Sequence, residues 1–262
     1  MKVSTLRNKL IGAVCLLAVW FILSRIYPPV AVPPIRTVAA EVVRLLGSGR
    51  YWAEIGKTVL RMLTGLGLGT VIALIVSMLF LRFQTLSDIF YPAVEFLQVI
   101  PPVSWLILAI LWFGLSGAPA IFVVTVAVFA IMTVSLVTAG RALDQRLLTV
   151  GKVFALSERK RRRYIILPAL STAFNTSFTV CLGTSVKLIA MAEVMTVNSG
   201  IGGGIATARL NLETEGVIAW TVILILLYTI IGGIIKWIIR KNLIRRFWFR
   251  KLSPKRTENV SS

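Results

Sequence analysis

Apolar runs near residues 10–27, 58–81, 89–113, 119–139, 166–192 and 217–239 alternate along the chain with short polar stretches. Each approaches or exceeds the roughly 20 apolar residues that carry a helix across a bilayer core. The pattern therefore predicts an all-α integral membrane protein with about six transmembrane helices. The first run follows Lys2, Arg7 and Lys9, as a signal peptide would. It has no small-x-small cleavage site and ends in Arg25-Ile-Tyr-Pro-Pro, so it reads as a retained helix. Residues 28–56 hold Pro28, Pro29, Pro33 and Pro34 and then a short amphipathic pattern through Val38, Val42, Val43 and Leu46, too polar to span. The chain divides accordingly into an N-terminal helix with an external surface segment (1–57), a core of five spans (58–239) and a basic tail (240–262).

Composition agrees, with 57% hydrophobic residues and a mean hydropathy of +0.86. The charge balance, 29 Lys+Arg against 10 Asp+Glu, would suggest nucleic acid in a soluble protein. Here most cations sit beside spans, and their distribution sets orientation. With both termini cytoplasmic, the inside segments 1–9, 82–87, 140–164 and 240–262 carry 20 Lys+Arg and the outside segments carry six. The expected topology is N-in and C-in, in a bacterial-type cytoplasmic (inner) membrane. The lipid bilayer is the expected surrounding, the basic tail also suits anionic headgroups, and no nucleic-acid partner is implied. Histidine is absent, Cys15 and Cys181 both lie within apolar runs, and no Gly-x-Ser-x-Gly or His-Glu-x-x-His pattern occurs. No catalytic residue, disulfide framework or metal site is expected. Gly56-Lys57-Thr58 ends like a phosphate-binding loop, but the earlier glycine position is Tyr51, so it is read as a chance match.

The longest polar insert, 140–164, is cytoplasmic in this topology. Leu143, Leu147, Val150 and Phe154 recur at helical spacing and form one apolar stripe, with Arg146 and Lys152 elsewhere on the surface. Ser157 before Glu158 is an N-cap signal for a second helix entering the fifth span, which predicts helix, turn, helix. A stripe of this kind either docks on a partner protein or lies on lipid headgroups.

The stretch from Asp144 to Pro168 resembles the cytoplasmic loop of ATP-binding-cassette (ABC) importer permeases, in which Glu-Ala-Ala-x-x-x-Gly precedes Ile-x-Leu-Pro. Aligned on Ile165-Ile-Leu167-Pro168, the Glu-Ala-Ala positions are Thr149, Val150 and Gly151 and the glycine position is Ala155. The acidic residue and the turn glycine of the pattern are thus both replaced. Ile100-Pro-Pro102 with Leu111-Trp-Phe-Gly114, Ala192-Glu193 with Gly200-Ile-Gly202, and Ala219-Trp220 resemble the nitrate, sulfonate and taurine class of these permeases. The resemblance covers roughly residues 58–239. It implies the type I importer architecture with a cytoplasmic coupling helix, built from Leu143, Asp144, Leu147, Thr149, Val150, Gly151, Phe154, Ala155, Ser157 and Pro168. It also implies a second copy of the permease, an ABC ATPase dimer on the cytoplasmic side and an external solute-binding protein. ATP and Mg would be bound by the ATPase, with no cofactor in this chain. Transported solutes in this class are small anions or sulfonates such as nitrate, taurine or alkanesulfonate, or else a neutral heterocycle such as a pyrimidine vitamin precursor. A self-sufficient secondary carrier is the rival reading, disfavoured by the scarcity of deep carboxylates and the lack of a visible repeat.

Candidate pathway residues are Glu95, Gln98, Pro101, Pro102, Lys187 and Glu193. Pro101-Pro102 cannot sit in an unbroken helix, and the carbonyls a kink exposes need protein or a water-filled cavity beside them. Glu95 and Lys187 are the deep charges; an ion pair between them and a contact with solute are equally open. Arg61, Glu193 and Lys236 lie near span ends, where snorkelling to the interface is expected. Gly65, Gly67 and Gly69 suggest a close helix contact.

Overall fold

The computed structural model describes residues 2–142, 167–197 and 199–242, and all regular structure among them is helical. In chain order the helices are α1 (Lys2–Ile26), α2 (Ile35–Gly47), α3 (Gly49–Arg82), α4 (Gln84–Val99), α5 (Pro102–Phe113), α6 (Ala118–Arg141), α7 (Leu167–Thr196), α8 (Gly200–Leu210) and α9 (Thr214–Asn242). Four segments are long and apolar enough to cross a membrane: Tyr51–Arg82, Ala118–Arg141, Leu170–Thr196 and Thr214–Ile235. Helices α4 and α5 are each too short and meet the same criterion only when taken together, which brings the candidate spans to four or five. The expected first span is helical as well, within α1 (Lys2–Ile26).

Hydroxyls inside these helices mostly bond back to the carbonyl four residues earlier, as Thr64 does to Leu60, Thr125 to Ile121, Ser135 to Ile131 and Thr179 to Asn175. That habit lets polar side chains occupy a span without stranding a donor in hydrocarbon.

The third apolar run, expected as one kinked span, is instead two helices. α4 ends at Val99 and α5 restarts with Pro102 as its first residue. Pro101 holds ψ at 135°, the extended value that a following proline imposes, and Pro102 at the first helical position needs no amide donor. Its break is therefore set by the order of the two prolines.

The chain forms two compact units. The first takes its described residues from Met1–Gly69, Ile100–Ala127 and Thr184–Leu226. In it the Trp20 indole donates to the Pro33 carbonyl (3.1 Å), tying α1 to the turn before α2. Gly65 lies so close to α6 that an added Cβ would stand 2.8 Å from the Val124 Cβ and 2.9 Å from the Ile121 carbonyl oxygen. The expected glycine contact is thus at Gly65, whereas Gly67 faces open space.

The second unit takes its described residues from Thr70–Val99, Val128–Gly183 and Leu227–Ser262. Phe80, Val94, Ala130 and Val137 form a buried cluster, flanked by Val76, Leu86 and Phe129. At the end of α6 the Arg141 guanidinium donates to the Ser87 hydroxyl (2.8 Å) and lies 4.7 Å from the Tyr91 ring centre. The Tyr91 hydroxyl in turn is 3.2 Å from that of Thr138.

Candidate functional site

Three residues of α3, Glu54, Thr58 and Arg61, follow one another at steps of four and three and so share a helix face. In the first unit that face meets the last turn of α7, which carries Glu193, and the start of α8. One Glu193 carboxylate oxygen accepts from the Arg61 guanidinium (2.7 Å), and the other from the Thr58 hydroxyl (2.7 Å) and the Gly202 amide (3.1 Å). Thr58 Oγ1 also accepts from the Ile201 amide (2.8 Å), and Glu54 accepts from the Gly200 amide (2.6 Å) and from Lys57 Nζ (2.8 Å). The second Arg61 nitrogen donates to the Ser199 hydroxyl (2.9 Å).

The first amides of a helix have no partner within it. Here three of them, at Gly200, Ile201 and Gly202, meet three side-chain acceptors, two of them carboxylates at the positive end of the helix dipole. The glycines make this approach possible. Gly200 has φ +85°, and a Cβ there would stand 2.6 Å from the Glu193 carboxylate oxygens. A Cβ on Gly202 would meet the Ala190 carbonyl oxygen at 2.7 Å, the Val194 amide nitrogen at 2.8 Å and Glu193 Cβ. The cluster fastens α8 to α3 and α7.

Glu193 is therefore not at an interface. It is 0% exposed and paired, where snorkelling was expected, because α7 continues to Thr196 and keeps the residue inside the bundle. Arg61, 17% exposed, is likewise spent on a partner. The sequence reading missed Glu54, Thr58 and Ser199; the regular spacing of Glu54, Thr58 and Arg61 was the available signal.

Other candidate residues are placed separately. Glu95 and Gln98 are exposed on α4, in the second unit, with the Gln98 amide 3.5 Å from the Ala130 carbonyl oxygen. Pro101 and Pro102 occupy the exposed break between α4 and α5. Lys187 is exposed on α7, in the first unit. Leu143, Asp144, Leu147, Thr149, Val150, Gly151, Phe154, Ala155 and Ser157 lie outside the described residues; Pro168 is the second residue of α7. No group of three metal-ligating side chains occurs among the described residues.

Beside the Glu193 cluster is a cavity of about 230 Å³ lined by Glu41, Arg44, Tyr51, Glu54, Glu213 and Trp220, among others. Arg44 donates to both oxygens of Glu41, at 2.7 and 2.5 Å, and these bonds hold its guanidinium more firmly charged than a free arginine.

Residues 65–244 match the model of a protein family described as the binding-protein-dependent transport system inner membrane component. The chain belongs to that family. The permease is 26% identical over 194 residues to a probable ABC transporter permease of Brucella melitensis, covering 74% of this chain and 78% of the relative. It is 22% identical to the taurine transport system permease of Escherichia coli, over 78% of this chain and 77% of that one. With a putative aliphatic sulfonates transport permease of Bacillus subtilis it shares 23% identity over 87% and 83% of the two chains. It is thus the non-catalytic, multi-pass inner-membrane subunit of an ABC importer, and membership implies an ATPase and a solute-binding protein as partners.

Proposed function

We propose that this permease carries a small anion of the sulfonate or nitrate class, as a homodimer whose pathway is lined in part by Lys187. The observation that carries the reading is the exposed ammonium of Lys187 on a span. A charge at bilayer depth costs about 2.5–3.5 kcal/mol on insertion scales, so it faces water or protein rather than lipid tails. A cation there draws an anionic solute, in keeping with the taurine and sulfonate transport named for two relatives. Glu95 and Gln98, exposed on α4 beside the α4–α5 break, are the further polar groups assigned to the pathway.

Both termini face the cytoplasm in this reading, which places residues 140–164 against the ATPase. ATP and Mg are held by that partner. Closure of the ATPases pushes on the helix over 143–156, and rigid spans carry the displacement to the pathway, exposing it to either side in turn. Arg141, bonded to Ser87 and stacked on Tyr91, anchors the end of α6 on α4.

The test is uptake by liposomes holding this permease, its ATPase and its solute-binding protein, with labelled taurine, an alkanesulfonate, nitrate and a neutral pyrimidine as competing solutes. Preference for an anion, lost in Phe154→Ala together with ATPase co-purification, is the expected result. Uptake by the permease alone, without ATPase, refutes the importer mechanism, and preference for the pyrimidine refutes the anion assignment.

A further inference from the structure

The turn joining α8 to α9 contains the one non-glycine residue with positive φ among the described residues, Leu212 at φ 58°. The bonding around it closes α8 in a Schellman motif: the Leu212 amide donates to the Arg209 carbonyl (3.2 Å) and the Glu213 amide to the Ala208 carbonyl (2.9 Å). The residue at this left-handed position is usually glycine, because a Cβ there is strained. Asparagine tolerates it too, yet Asn211 sits one place too early. Leucine gains nothing internally in exchange, since its side chain is 74% exposed and that of Leu210 is 75% exposed. Two leucines thus project from a turn whose geometry one of them disfavours.

The base of the turn is fixed. The Thr214 hydroxyl donates to the Val30 carbonyl (2.6 Å), and an added Cβ on Gly216 would stand 3.0 Å from Ala208 Cβ. A firmly held tip loses little freedom on binding. Arg209, Glu213 and Glu215 lie within three residues of the leucines. That density of charge places the tip in water, beyond the hydrocarbon, so its occupant is a protein and not an acyl chain.

We propose that the Leu210–Leu212 tip is the knob by which this permease engages its solute-binding protein, an apolar cleft of that protein receiving both leucines. The inference rests on the proposed orientation, which puts Arg209 and the α8–α9 turn outside the cell. In the neighbouring cavity Glu41 is bound to Arg44 and Glu54 to Lys57, which leaves the Glu213 carboxylate to meet a basic side chain from the same partner.

The experiment measures uptake against the concentration of solute-loaded binding protein in liposomes holding the permease and its ATPase. Leu212→Gly and Leu210→Ser are expected to raise the half-maximal concentration about tenfold or more, and Leu212→Met to leave it near wild type. Because glycine fits the turn, Leu212→Gly is also expected to keep or raise the thermal midpoint, which separates lost docking from lost folding. Half-maximal concentrations within about twofold of wild type in both variants overturn the proposal. So does loss of the dimer in Leu212→Gly on size exclusion, which assigns the tip to a second copy, or burial of a fluorophore on Leu212→Cys in liposomes without binding protein, which assigns it to lipid. Wild-type uptake that needs no binding protein defeats instead the importer reading on which the proposal rests.

Discussion

Replacing Arg61 by methionine removes the countercharge that lies 2.7 Å from the Glu193 carboxylate. Glu193 keeps the Thr58 and Gly202 donors, but at 0% exposure it cannot recruit bulk water. Breaking a buried pair from one side costs about 3–5 kcal/mol, and for a chain of this size each kcal/mol lowers the thermal midpoint by about 2–4 °C. Arg61→Met is therefore expected to lower the midpoint in detergent by about 6–20 °C. The reverse change is milder. In Glu193→Gln the arginine is 17% exposed, still has Ser199, and loses a charge-assisted bond worth about 1.5–3 kcal/mol. The double variant Arg61→Met with Glu193→Gln is expected to be more stable than Arg61→Met alone, since no buried carboxylate is left uncompensated. Thermal unfolding of the four proteins, followed by tryptophan fluorescence, completes the cycle. Additive losses, or a midpoint for Arg61→Met within about 2 °C of wild type, refute the view that this pair fastens α7 to α3.

That pair also marks where reading the sequence stopped short. The spans were legible because lipid demands long apolar helices, and charge asymmetry alone sufficed to propose an orientation. The break in the third run was foreseen as a kink, since Pro101 and Pro102 announce a missing donor but not that ψ of Pro101 would end one helix and start another. Helix ends were harder. α3 starts at Gly49 and α7 runs to Thr196, each beyond the apolar run that revealed it, because polar residues can be helical when a neighbouring helix satisfies them. Those turns contain Glu54, which was missed, and Glu193, which was read as lying at a span end, so the cluster lay where hydropathy is blind. Its partners are more than 130 residues apart in the chain, and no local pattern joins Thr58 or Arg61 to Glu193. The family motif Ala192-Glu193 with Gly200-Ile-Gly202 was visible as a resemblance; what it does became plain only once the amides of α8 were seen on the carboxylates of Glu54 and Glu193.

Gly65→Ala is expected to destabilise the permease by about 1–3 kcal/mol, because the new methyl meets the Ile121 carbonyl, while Gly67→Ala, in open space, should be neutral or stabilising by up to about 1 kcal/mol; thermal midpoints decide, and equal effects disprove the contact. With Cys15 and Cys181 replaced, a membrane-impermeant thiol reagent is expected to label Asn211→Cys only from outside and Ser157→Cys only from the cytoplasmic side; the opposite result inverts the orientation and with it the docking surface. The remaining charge, Lys187, separates two accounts of the pathway. If its ammonium draws an anionic solute, Lys187→Met lowers the maximal rate of uptake while ATPase assembly and solute affinity of the isolated binding protein stay as in wild type. If it balances Glu95, the same change strands a carboxylate and lowers the thermal midpoint, and adding Glu95→Gln restores part of the loss. Wild-type transport together with wild-type stability in Lys187→Met excludes both accounts, because a cation that neither solute nor carboxylate needs has reached the interface by its own length.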